Sequence, residues 1–202
     1  MKIAILVEGE TERIYLPFLR EFLGPRLNGN PPKLISSKYD GRIPKQEKLR
    51  RRVEALLRGK KPDADHVIAL TDVYTGSSDF KDASDAKQKM RDWVGLNDRF
   101  HAHAAQYDFE AWLLPYWSAI QELARHNRAA PAGMPESVNH NHPPSYHIKE
   151  IFRVGQGPRH YTKTRDAKRI LQGKDLSIAA AACPELRGFL NTILTLCNGD
   201  PI

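Results

Sequence analysis

KIAILVEGETERIYLPFLREFL, residues 2–23, is the stretch whose reading decides the fold. Residues 3–7 are continuously apolar, without polar alternation, as in a strand of parallel sheet covered on both faces. From Thr11 onward the apolar residues Ile14, Leu16, Phe18, Leu19, Phe22 and Leu23 recur at helical spacing. Strand therefore gives way to helix across a short junction, and Glu8, Glu10 and Glu12 crowd it. Gly24-Pro25 and the Asn/Gly/Pro stretch at 28–32 end the helix.

The same alternation continues downstream. Residues 33–39 suit a second strand, and 46–57 a basic amphipathic helix. Residues 66–71 form another apolar strand closed by an acid, Asp72. A Gly/Ser/Asp loop follows at 73–82, then a polar helix over 82–94. Residues 100–105 suit a fourth strand, with His101 and His103 on one side. Residues 108–125 predict one strong helix. The stretch 127–144, rich in Ala, Pro, Asn and His, is expected to be a long loop. Helical patterns return at 146–154, 164–171 and 176–197, with a break near Pro184. Strands alternating with helices predict an α/β fold with a parallel sheet flanked by helices. The expected organisation is an α/β core over 1–126 and a loop and helical extension over 127–202, packed on the core as one compact unit.

The chain has 202 residues, 41% hydrophobic and 27% charged, as expected of a globular protein with a sizeable core. No segment reaches the roughly 18 uninterrupted apolar residues of a membrane span. The first apolar run is too short for a signal peptide, so the expected location is the cytoplasm, with no membrane partner. Cys183 and Cys197 are too few for a disulfide scaffold and read as small apolar residues of late helices. A net charge of +7 permits binding of DNA or RNA without establishing it.

In open parallel sheets, sites form outside the carboxyl ends of the strands. Two strands here end in acids, Glu8 and Asp72. If those strands are neighbours, the carboxylates converge and repel each other. A divalent cation removes that cost: Mg²⁺ takes one or two protein carboxylates and completes its shell with water and phosphate oxygens. Helix capping is the competing explanation. Acids in a first turn suit the helix dipole, and Thr11 suits an N-cap. That accounts for Glu12 and for Glu10, but poorly for Glu8, which precedes Gly9 at the strand end.

The stretch Ile5-Leu-Val-Glu-Gly-Glu-Thr-Glu12 resembles the first motif of Toprim domains, found in topoisomerases, primases and the overcoming-lysogenisation-defect nucleases. In that pattern a second strand ends in Asp-x-Asp. Here Leu70-Thr-Asp-Val-Tyr-Thr-Gly76 matches with Asp72, but Tyr74 stands where the second aspartate belongs. A neutral phenol is a poor Mg²⁺ ligand, so Glu12, Asp79 and Asp82 become candidates to complete the set. Four segments together, the VEGETE start, Asp-Val-Tyr-Thr-Gly, Gln106-Tyr-Asp-Phe-Glu-Ala-Trp-Leu113 and Cys183-Pro-Glu-Leu-Arg-Gly-Phe-Leu-Asn191, resemble the bacterial family called domain of unknown function 4276. The resemblance implies a Toprim-like core and a partner ATPase of the ATP-binding-cassette type in a phage-defence locus; the metal expected is Mg²⁺ or Mn²⁺ at Glu8 and Asp72, with Glu12 as the candidate to complete the set.

Asp108 and Glu110 open the helix after the fourth strand. Two residues apart, they do not share a helix face; the resemblance favours Glu110 as the third catalytic acid beside Glu8 and Asp72, against the alternative that both are first-turn acids suiting the helix dipole. Arg159, Lys163, Arg165 and Lys168 are candidates to hold a phosphate of the nucleic-acid backbone, against the alternative of a solvated helix start. Arg50, Arg51 and Arg52 head the densest basic region, without aromatics for base stacking. His140, His142 and His147 suggest zinc only weakly, since no cysteine or second motif half accompanies them. No phosphate loop, dinucleotide fingerprint or nucleophile elbow occurs. Two functions are thus expected to compete: a metal-dependent nuclease, and a catalytically weak binding or regulatory subunit of an ATPase complex.

Overall fold

The computed structural model describes residues 1–39, 41–74, 79–139, 141–155 and 160–202; the side chains of Thr11, Glu12 and Lys38 lie outside the description. Four parallel strands form the sheet: β1 (Lys2–Val7), β2 (Lys33–Lys38), β3 (His66–Asp72) and β4 (Phe100–Ala105), in the order β2-β1-β3-β4. Parallel strands need long crossovers, and helices supply them here. These are α1 (Glu10–Leu23), α2 (Gln46–Leu57) and α3 (Ala83–Val94). The α/β class expected from the alternation is the observed one.

Alternation along each strand divides the core. Ile3, Ile5 and Val7, with Ile68 and Leu70, face a large cluster that takes in α1 and the C-terminal helices. Ala4, Leu6, Val67 and Ala69 face a smaller one built on Leu49, Val53, Leu56 and Leu57 of α2 and Met90 and Val94 of α3. The C-terminal helices are α4 (Trp117–Ala124), α5 (Pro144–Val154), α6 (Lys163–Leu171), α7 (Leu176–Ala182) and α8 (Pro184–Leu196). Leu186, Phe189 and Ile193 of α8 share the large cluster with β1, and the ring of Phe189 stacks on Trp112 at 6.0 Å. Gly155 closes α5 where α4 ends, and a Cβ there would lie 2.0 Å from the Ala124 carbonyl oxygen.

Three local expectations change. The helix after β1 begins at Glu10, so Thr11 lies inside its first turn instead of capping it. The single helix expected over 108–125 divides into a 3-10 segment, Phe109–Tyr116, and α4. Pro115 lacks the N–H an α-helix would need there. Moreover, Phe109 through Leu114 are all buried, so the segment has no solvent face of its own and core packing dictates its winding. The stretch 127–144 contains a 3-10 turn, Pro135–Ser137, tied into the core. Glu136 accepts hydrogen bonds from the Trp112 indole at 3.0 Å and from the backbone N–H of Glu185 at 2.9 Å.

Candidate functional site at the carboxyl ends of the strands

Glu8 and Asp72 end neighbouring strands. The β1–β3 register pairs Val7 with Leu70, so Glu8 stands beside Thr71, one residue before Asp72. The Thr71 hydroxyl donates to the Glu8 carboxylate, and Glu8 is buried. Alternation along β3 turns Thr71 and Asp72 to opposite faces. Asp72 continues the face of Ile68 and Leu70, towards the C-terminal helices.

On that face lies Lys163, the first residue of α6. Burial alone would lower its pKa, but the charges of Glu110, Asp72 and Asp108 outweigh it and hold the ammonium charged. Its Nζ sits 3.1 Å from Glu110 Oε2. Glu110 is fully buried, and its other oxygen accepts from the Tyr161 hydroxyl at 3.3 Å. Burial and the Glu110 charge push the Tyr161 phenol far above its ordinary range, so it stays protonated and donates. Asp108 lies beside this pair. Burial and the negative charge of Glu110 raise its carboxyl to about 7, and one oxygen accepts from the Ser145 backbone N–H at 3.2 Å. The other oxygen, Oδ1, is buried with no hydrogen-bond partner among the described residues.

The start of α6 explains how Lys163 is held. Asp166, fully buried, accepts from the Thr162 N–H at 2.7 Å and from Arg165 through both carboxylate oxygens at 2.8 and 2.7 Å. These contacts outweigh burial and hold its carboxyl below the ordinary range. Arg165 thus spends its fork within the chain, Lys168 is exposed farther along α6, and Arg159 lies outside the described residues.

Glu12 belongs to the first turn of α1, with a side chain outside the description. The other acids considered for a completing role are structural. Asp79 pairs with Lys45 and Arg42, and Asp82 caps α3 by accepting from the Asp85 N–H at 2.8 Å. His101 lies against His66, and His103 against Phe189 and Thr192 of α8. Burial first, and then nearby Lys87, lower His103 to about 3, which keeps it neutral. His140 lies outside the described residues, and His142 stacks on Tyr146. Thr71 and Tyr161 are the site residues without a sequence signal of their own, since neither type is diagnostic at its position.

Among the described residues no group of three or more acids, histidines or cysteines is placed to hold a metal. Along the strands Glu8, bonded to Thr71, continues the face of Ala4 and Leu6, and Asp72 the opposite face. Mg²⁺ needs only one or two carboxylates from the protein, so a single strand end with its neighbours supplies enough. The Asp108 oxygen that lacks a partner adds an acceptor nearby.

A four-stranded parallel sheet flanked by helices, with acids at two adjacent carboxyl ends, defines an α/β protein of the class expected from the sequence. The chain belongs to the family described as domain of unknown function DUF4276, whose profile matches residues 7–194. No curated protein matches it in sequence. Among solved structures it is similar to the C-terminal region of the Burkholderia pseudomallei OLD protein, at 14% identity and a TM-score of 0.54, covering 97% of this chain and 98% of that one. The C-terminal region of the Xanthomonas campestris pv. campestris OLD protein aligns at 16% identity with a TM-score of 0.48, covering 97% and 95%. The likeness to the Burkholderia structure is one of fold. No helix among the described residues is long and apolar enough to cross a membrane.

Proposed function

We propose that this protein is a metal-dependent phosphodiesterase acting on nucleic acid, working with an ATPase partner in phage defence. The observation that carries the reading is the adjacency of β1 and β3, which delivers Glu8 and Asp72 to neighbouring carboxyl ends, with Lys163 beside Asp72. Mg²⁺ or Mn²⁺ held by Glu8 and Asp72, with Glu12 as the further ligand, would neutralise phosphate charge and make water more acidic. The chain's own residues do the rest. Lys163 offers its ammonium to a phosphate oxygen. Glu110 and Tyr161 fix that ammonium in place, while exposed Lys168 adds positive charge for the nucleic-acid backbone and Arg159 would add more. Glu8, joined to the Thr71 hydroxyl, takes a proton from the attacking water.

Glu8→Gln is expected to abolish nicking of supercoiled plasmid with Mg²⁺ or Mn²⁺ while leaving the circular dichroism spectrum intact. Undiminished nicking by that variant, or none by the wild type with either metal, overturns the reading. A second reading, a binding or regulatory subunit of the ATPase complex, is favoured by Tyr74 in place of an acid and by the missing three-ligand group among the described residues. Calorimetric titration of Mn²⁺ separates the two, since the second expects no binding that depends on Glu8 and Asp72.

A further inference from the structure

Resting on the nucleic-acid reading, a second feature of the site bears on the state of the strand it takes. Tyr74 follows Asp72 by two residues, which places its Cα within about 7 Å of that of Asp72. It remains 43% exposed. Tyr107 directly precedes Asp108 and packs its ring 5.2 Å from that of Tyr74. Its φ is +70°, the left-handed region that a bulky L-residue rarely occupies. The backbone holds it there: the Tyr74 N–H donates to the Tyr107 carbonyl at 2.6 Å, and the Val73 N–H to that of Ala105 at 3.1 Å. Sustained strain of this kind concentrates at functional sites.

The ring pair connects to a second one. Asn139 donates to the Tyr74 hydroxyl at 3.1 Å, and its carbonyl accepts from the His142 N–H. His142, itself exposed, stacks nearly parallel on Tyr146 with centroids 3.8 Å apart. Tyr146 is 37% exposed and adjoins Ser145, whose N–H binds Asp108. One turn along α5, exposed Lys149 shares the side of Tyr146. Four aromatic rings thus lie on residues adjoining Asp72 and Asp108 or tied to those neighbours, with exposed Lys149 on the side of Tyr146.

We propose that this aromatic border stacks unpaired nucleobases, so that the protein takes single-stranded nucleic acid, or a frayed end or flap, in preference to intact duplex. Every base presents a π-face, so stacking of this kind tolerates any sequence. Bases paired within a duplex keep those faces buried against one another and cannot use it.

The test is fluorescence anisotropy of short fluorescein-labelled single-stranded DNA, single-stranded RNA and duplex DNA, in EDTA so that no cleavage intervenes. At least one single-stranded probe is expected to bind about tenfold more tightly than duplex. Tyr74→Ala and Tyr146→Ala should each weaken that binding by about tenfold, and the corresponding Phe variants should retain it. Both positions are exposed, and unchanged circular dichroism checks the fold. Equal affinity for single strand and duplex, no binding of either single strand, or indifference to both Ala variants overturns the proposal. A protein that nicks plasmid yet fails here keeps its nuclease reading and loses this one.

Discussion

At the scale of single residues, the Lys163–Glu110 pair joins fold to chemistry. A fully buried carboxylate requires a partner, and Lys163 supplies it from a side chain that is 44% exposed. Lys163→Met strands the Glu110 charge and is expected to lower stability by about 1–3 kcal/mol. Adding Glu110→Gln should recover most of that loss, as read by urea denaturation of the two single variants and the double. If the double variant is as unstable as the sum of the singles, the pair is not coupled. Plasmid nicking should not return with stability, because the ammonium is still missing.

Asp108 brings a pH dependence. Its folded pKa, raised to about 7 by burial and by Glu110, lies above the ordinary carboxylate value. Folding therefore favours the protonated form. The contribution is fully present below about pH 4 and is lost as pH rises through 7. Asp108→Asn should remove that slope between pH 4 and 7, measured as the difference in urea midpoint across the range. A difference that stays constant with pH would contradict the assignment.

At the scale of elements, Glu136 shows how a connecting loop supports the site from behind. It ties the Trp112 indole to the first N–H groups of α8. Glu136→Ala removes the acceptor from all three donors and should cost about 1–3 kcal/mol. Glu136→Gln, which keeps an acceptor, should cost less, and thermal unfolding of the two variants compares them. None of this was legible in the sequence, where 127–144 has only loop composition. The strands were legible, because continuous apolar runs such as residues 3–7 and 66–71 have few alternative uses. Gln46–Leu57 and Phe100–Ala105 match the expected bounds for the same reason: period and flanking residues agree. The segment Phe109–Tyr116 misled because its apolar density resembles a strong helix, whereas burial on every side and Pro115 wind it more tightly. In the site, Glu8 and Asp72 could be picked out by their position after strands. The Glu110–Lys163 and Asp108–Ser145 pairs span 53 and 37 residues, and no local pattern signals them.

At the scale of the whole molecule, α8 returns to pack on β4 and on Trp112, so the C-terminal helices and the sheet share one core. That arrangement hides Cys183 at the corner between α7 and α8, its Sγ 3.8 Å from the Ala111 carbonyl beside Glu110. Burial drives the thiol well above its usual range, so in the closed protein it is neither accessible nor nucleophilic. The same corner therefore serves as a clock. Alkylation of Cys183 can proceed only through an opening of this corner: its rate reports the open fraction when reclosing is fast, and the opening rate itself at reagent concentrations high enough to outpace reclosing.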